Sequence, residues 1–174
     1  LFRSVPSPHG LKEVCAGMGC IGFAATYMGM NYLAAMGLNT LACDTLRANG
    51  VQHVLQGDVQ NPQDRYRLHV TPQITRSMIA AGFPCQPLST QGDGKGINYP
   101  RSGAFFGTTK MVWEQDSYGL LLECVPGAMH ASFVQEELQK LAWSMGKSLY
   151  EQLLHLDHAW QTLPLVGIDC SQGV

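Results

Sequence analysis

The chain has 174 residues, a formal charge of −2, 14% charged residues and 19 glycines. That length supports one domain with a proper core and leaves no room for two. The 45% hydrophobic content excludes a disordered chain. The near-neutral balance excludes the general basic surface of a free-standing nucleic-acid binder, so any nucleic acid is held by a local site or by residues outside this chain.

Cys15, Cys20, Cys43, Cys85, Cys124 and Cys170 form no C-x-x-C pair. This argues against a zinc knuckle and a secreted disulfide scaffold, and for reduced thiols in an intracellular protein. No signal peptide is apparent, and a start at Leu1 reads as a fragment of a longer chain. No charged residue occurs from Val14 to Cys43, a stretch long enough to span a bilayer. Its glycines, and the break at Gly37-Leu38-Asn39-Thr40, favour a buried strand, loop, helix and second strand instead.

In chain order, residues 1–10 read as a flexible lead-in, and 11–15 as a strand entering a glycine-rich loop. Residues 23–36 lack proline and carry recurrent apolar side chains, which predicts a buried helix. Residues 38–43 read as a second strand ending at Asp44, and 45–49 as a short helix closed by Asn49-Gly50. Residues 51–55 predict a third strand ending at Gly57-Asp58-Val59, followed by a polar loop with one helical turn over 60–76. Residues 77–81 predict a strand running into Gly82-Phe83-Pro84-Cys85, and 86–103 a long loop. A helix over 104–115, a strand over 118–123, an amphipathic helix over 131–145 and two last strands over 148–154 and 163–168 complete the chain. Alternating strands and helices define an α/β fold, a mainly parallel sheet covered on both faces.

Three features fall in order at predicted strand ends. Glycines after Glu13-Val14-Cys15 allow a tight turn and close approach of a ligand, and the following helix N-terminus favours an anionic group such as a cofactor carboxylate. Asp44 is placed to accept from ribose hydroxyls and Asp58 from an adenine amino group. Taken singly, each aspartate is more simply a helix cap or turn residue, and it is the three features in order that point to a ligand edge. Cys85, between a strand and a Gly/Pro-rich loop, is a candidate nucleophile rather than an inert core thiol. Glu123 ends the apolar run Leu120-Leu121-Leu122, where a half-buried carboxyl can act as an acid. Lys95 and Arg101 make a small basic spot suited to phosphate or to solvent. His155 and His158 lack a third ligand, and no metal site is expected.

Gly82-Phe83-Pro84-Cys85-Gln86-Pro87 with Ser89 resembles the catalytic loop of the cytosine-C5 DNA methyltransferases. Glu13 to Gly19 resembles that family's S-adenosylmethionine loop, and Glu123-Cys124-Val125 its Glu-Asn-Val motif. Gly94-Lys95-Gly96 with Pro100-Arg101-Ser102-Gly103 resembles the stretch after the catalytic loop. Order and spacing agree from residue 11 to 127.

The resemblance implies a Rossmann-like S-adenosylmethionine-dependent methyltransferase fold, incomplete here, with residues 11–174 as a partial catalytic domain. It implies methyl transfer to cytosine C5 in DNA, with Cys85 attacking C6 and Glu123 stabilising the activated ring. Ala16, Gly17, Met18, Gly19, Asp44, Asp58, Val59 and Pro84 would bind S-adenosylmethionine. Gln86, Ser89 and Val125 would contact the substrate, a base flipped from duplex DNA. A eukaryotic member would be nuclear.

Cys15, Cys20 and Cys124 depart from the family's phenylalanine, glycine and asparagine. Leu163 and Leu165 stand at the two arginine positions of its Gln-x-Arg-x-Arg motif, in Gln161-Thr162-Leu163-Pro164-Leu165. No target-recognition region follows, so a longer chain or a partner would supply one. Two other outcomes stay open: an inactive member that binds cofactor or a partner, and methylation of tRNA.

Overall fold

The computed structural model describes residues 10–69, 77–84, 102–115, 117–125, 128 and 131–144. The elements are β1 (Gly10–Val14), α1 (Cys20–Tyr27), β2 (Asn31–Gly37), α2 (Thr40–Ala48), β3 (Val54–Gln56), α3 (Pro62–His69), β4 (Ser77–Gly82), α4 (Gly103–Glu114), β5 (Gly119–Glu123) and α5 (Ser132–Ser144). The chain divides into a unit Leu1–Glu137, which holds the sheet, and a unit Leu138–Val174, of which only the end of α5 is described. Residues 1–9 of the expected lead-in, Cys85, Gln86, Ser89, the loop over 86–101, the two expected last strands and the His155/His158 pair lie outside the described residues, while Gly10, expected in the lead-in, is the buried first residue of β1.

The sheet has the order β3-β2-β1-β4-β5, and every pairing is parallel. Right-handed crossovers put α1 and α2 on one face and α3 and α4 on the other. The central strand β1 is buried along its whole length yet carries two ionisable residues in succession. Neighbours on a strand point to opposite faces. Lys12 donates to Gln115 Oε1 at 2.9 Å and to the Leu68 carbonyl at 3.3 Å, on the α3/α4 side. Glu13 turns to the α1 side, where Leu11, Ala25 and Ala80 form a core with Ile21, Met30 and Tyr32.

Two predicted elements were misplaced. The helix expected over 23–36 is α1, ending at Tyr27, followed by β2 from Asn31. Gly29, at φ +88, stops the helix: its N–H bonds the Thr26 carbonyl and the Met30 N–H bonds the Ala25 carbonyl. The strand expected over 38–43 is instead the first part of α2, capped by Asn39, whose side chain accepts from the Ala42 N–H at 3.0 Å. The break at Gly37-Leu38-Asn39 is real, but it runs from strand to helix. Residues 62–69 form two turns of helix where one was expected. The remaining strands, and α4 and α5, fall within three residues of the predicted bounds. Among the described residues, no helix is long and apolar enough to cross a membrane.

Candidate cofactor and catalytic edge

Strand order reverses between β1 and β4, because β2 and β3 lie to one side of β1 and β4 and β5 to the other. Open α/β sheets bind ligands at the carboxyl ends of the strands beside such a reversal. That edge gathers residues 15–19 after β1, Gly37 to Asn39 at β2, Gly57 to Val59 after β3, Phe83 and Pro84 after β4, and Glu123 to Val125 at β5.

The loop after β1 turns through left-handed backbone at Cys15 (φ +52), Gly17 (φ +52) and Gly19 (φ +87). It is fastened by Ala16 N–H to Met36 O at 3.0 Å and Gly19 N–H to Ala16 O at 2.8 Å. No atom lies within 4 Å of where a Gly17 side chain would start, so the loop's backbone faces open space. Met18 is exposed and Ala16 buried. Gly19 caps α1 without a side chain, and Glu13 takes over that role from β1. Its Oε2 accepts from Gly22 N–H in the first turn at 2.9 Å and from the Tyr32 hydroxyl at 2.6 Å. The acceptor for this N–H of the first helical turn is thus a side chain of the neighbouring strand. Burial raises the Glu13 pKa, and the hydrogen bonds from Tyr32, Gly22 and Ile21 act in the opposite direction. Burial, and then the charge of Asp58, push the Cys15 thiol up to about 11.

Asp58 stands at the expected strand end. Its Oδ1 accepts from Gln60 N–H at 2.9 Å, and its own N–H donates to Asp64 Oδ2 at 3.0 Å. Val59 beside it is buried. Asp44 does not stand at a strand end: it lies within α2, exposed, with Oδ1 accepting from Arg47 Nη1 at 2.7 Å. The end of β2 is Gly37, followed by exposed Leu38.

On the other side of the reversal, β4 and β5 pair in register, and Gly82 faces Glu123. A Cβ on Gly82 would lie 3.2 Å from Glu123 Oε2, so this carboxylate lies over the strand three residues before Cys85. Glu123 is exposed, not half-buried as expected, and Cys124 and Val125 are half-buried. Phe83 is buried against Phe105 at 5.3 Å between ring centroids, and Phe105 meets Phe106 and Phe133 at 5.4 and 6.1 Å. This aromatic cluster anchors the root of the segment that continues through Pro84 into Cys85.

The sequence reading overlooked Arg65. Its buried guanidinium donates to Glu114 Oε2 and Oε1 at 2.7 and 2.8 Å, and to the carbonyls of Val59 and Gln60 at 2.9 and 3.0 Å. It ties α3 and α4 to the turn that carries Asp58. Its place among polar residues in an expected loop gave no sign of this. Among the described residues, no group of three His, Cys, Asp or Glu side chains could hold a metal ion.

A sequence model described as "C-5 cytosine-specific DNA methylase" matches residues 11–162. Type II methyltransferase M.Eco47II of Escherichia coli is 29% identical over 147 residues, covering 82% of this chain and 34% of its own length. Type II methyltransferase M.NgoMIV of Neisseria gonorrhoeae is 28% identical over 138 residues, covering 75% of this chain and 42% of its own. The chain therefore spans less than half the length of these curated relatives. The fold is similar to that of the S. pombe Dnmt2 methyltransferase, with a TM-score of 0.58 and 20% identity over 77% of this chain and 41% of that one.

Proposed function

The chain belongs to the C-5 cytosine-specific DNA methylase family, and from that premise we propose that it carries the cofactor-binding and catalytic part of an enzyme that methylates C5 of cytosine in DNA. S-adenosylmethionine fits the edge in part. The open glycine loop and the turn at Asp58 suit its ends, and a bound molecule would supply an electrophilic methyl group. Ala16, Gly17, Met18 and Gly19 would line it on one side, and Asp58, Val59 and Pro84 on the other.

The observation that carries the reading is the in-register meeting of Gly82 and Glu123 at the carboxyl edge of the sheet. It brings an exposed carboxylate to the strand that leads into Cys85. In the proposed chemistry the Cys85 thiolate forms a bond to cytosine C6, and the electrons of the C5–C6 double bond make C5 nucleophilic. Glu123 holds the exocyclic amine and ring N3 and stabilises the activated ring. After C5 is methylated, loss of the C5 proton to a base re-forms the double bond and expels the Cys85 thiolate. Gln86, Ser89 and Val125 would contact the flipped base.

The test is transfer of labelled methyl from S-adenosylmethionine to duplex DNA, with 5-fluorocytosine DNA as a covalent trap. Transfer and a trapped adduct, both lost in Cys85→Ala, are expected. A folded chain that binds DNA and yields neither would overturn the proposal. Transfer to tRNA but not DNA would keep the Cys85 chemistry and change the substrate class. A second reading, a cofactor- or partner-binding module without turnover, is favoured by Leu163 and Leu165 at the two arginine positions of the family motif. Calorimetric binding of S-adenosylmethionine without methyl transfer would support it.

A further inference from the structure

In folds of this type the carboxylate that accepts hydrogen bonds from the ribose stands about 20 residues after the glycine turn, at the end of the second strand. Counted from Gly17, that place is Gly37, the last residue of β2. Among the described residues, no carboxylate replaces it there. Leu38 has no polar side chain, and Asn39 spends its carbonyl oxygen on the Ala42 N–H. Asp44 lies within α2, paired with Arg47. Asp58, at the end of β3, accepts from Gln60 N–H.

Nothing in the backbone requires glycine at 37. Its φ is not among the left-handed ones. A Cβ there would meet only Ala16 N at 3.9 Å and Gly17 N at 4.0 Å, ordinary contact distances. That Cβ would point toward the glycine loop, into the crevice where a ribose would lie.

We infer that this chain holds the adenosyl group without a carboxylate on its ribose, and that position 37 sets how strongly the ribose hydroxyls are recognised. The inference rests on the cofactor site of the preceding section. Apolar Met18, Leu38 and Leu41, all exposed on the loop after β1, the end of β2 and the first turn of α2, surround this edge in sequence. The nucleoside is then bound chiefly through apolar contact and its base.

The experiment is calorimetric titration of the full chain with S-adenosylhomocysteine and with its 2′-deoxy and 3′-deoxy ribose analogues. Wild type is expected to lose less than about threefold in affinity when a hydroxyl is removed. Gly37→Glu is expected to bind the parent ligand about tenfold more tightly or better, and to lose that gain with a deoxy analogue, because a hydrogen bond to a charged acceptor is worth that much. Thermal melting checks that the variant folds. If it does not fold, the wild-type comparison alone decides. A wild-type loss of tenfold or more on removing a hydroxyl overturns the inference and leaves the cofactor reading intact. So does a folded Gly37→Glu chain with neither gain nor discrimination, provided wild type binds. No binding of any ligand by either chain overturns the cofactor reading and the inference together. Binding by the variant alone supports both.

Discussion

The Tyr32 hydroxyl donates to Glu13 Oε2 at 2.6 Å, joining β2 to β1 beneath the first turn of α1. The same oxygen receives the Gly22 N–H at 2.9 Å. One buried carboxylate thus fixes the start of the helix that follows the glycine loop, and a neighbouring strand holds that carboxylate in place.

Removing the acceptor leaves a half-buried hydroxyl and a buried amide without this partner. Glu13→Ala is expected to lower the unfolding free energy by about 2–4 kcal/mol, and Glu13→Gln, which keeps an acceptor oxygen, by about half as much or less. Urea unfolding measures both. The pH dependence has a definite sign. Burial raises the pKa of folded Glu13 above its unfolded value, so the folded chain binds the proton more tightly. Its contribution is fully present below the ordinary carboxylate range and is lost as pH rises through the raised pKa. The stability difference between wild type and Glu13→Gln is therefore expected to shrink from acid toward neutral pH. A difference that grows with pH contradicts the assignment.

Arg65 and Glu114 reverse that sign. The Arg65 hydrogen bond is the main cause of a lowered Glu114 pKa, so the contribution is present above the ordinary carboxylate range and lost as pH falls through the lowered pKa. Glu114 is 45% exposed, so Glu114→Gln is expected to cost only about 0–1 kcal/mol at neutral pH and to flatten the acid limb of the stability profile. Arg65→Met is expected to cost more, about 2–3 kcal/mol, because it also deprives the Val59 and Gln60 carbonyls of their donor. Equal losses from the two substitutions would show that the ion pair, rather than the carbonyl contacts, carries the effect.

The family motifs were legible in the sequence because glycines, prolines and charged residues at strand ends follow from the chemistry of the edge. What failed was the path between two of those ends. Strand β2 reads Asn-Tyr-Leu-Ala-Ala-Met-Gly, with its middle buried, and its alanines carry no strand preference. A buried parallel strand has no alternation to separate it from a buried helix. Gly29 was the available signal, a helix stop at C′ after eight helical residues. Missing it moved the second strand seven residues along the chain and put Asp44 where Gly37 stands. Glu13, Tyr32 and Arg65 act through contacts distant in sequence, which local pattern does not encode.

Gly107 and Gly37 offer a contrast in how much space surrounds a glycine. A Cβ on Gly107, inside α4, would overlap the Val59 carbonyl oxygen and lie 2.8 Å from the carbonyl carbon, both backbone atoms beside Asp58. Gly107→Ala is expected to destabilise by about 1–3 kcal/mol, even though alanine favours a helix by about 1 kcal/mol. Gly37→Ala, whose Cβ would make only ordinary contacts, is expected to be neutral or to stabilise by about 0.5–1 kcal/mol. Chemical denaturation of the two variants beside wild type checks the order. A neutral Gly107→Ala would mean that α4 does not press on this turn.

Cys15 and Cys20 flank the glycine loop and are expected to differ sharply in reactivity. The thiolate is the reacting form, and burial together with the Asp58 charge pushes the Cys15 thiol up to about 11. At pH 8 the thiolate is therefore about a thousandth of the total. Cys20, at the start of α1, is exposed. Iodoacetamide at pH 8 is expected to label Cys20 first, and Cys15 labelling to rise about tenfold per pH unit until the pH approaches 11. Peptide mass spectrometry after timed alkylation reads the two sites separately. Asp58→Asn removes the neighbouring charge and is expected to speed Cys15 labelling at every pH below 11, with Cys20 unchanged. If Cys15 reacts as fast as Cys20 at pH 8, the loop after β1 does not shelter it, and an unchanged Cys15 rate in Asp58→Asn would show that the Asp58 charge does not act on this thiol.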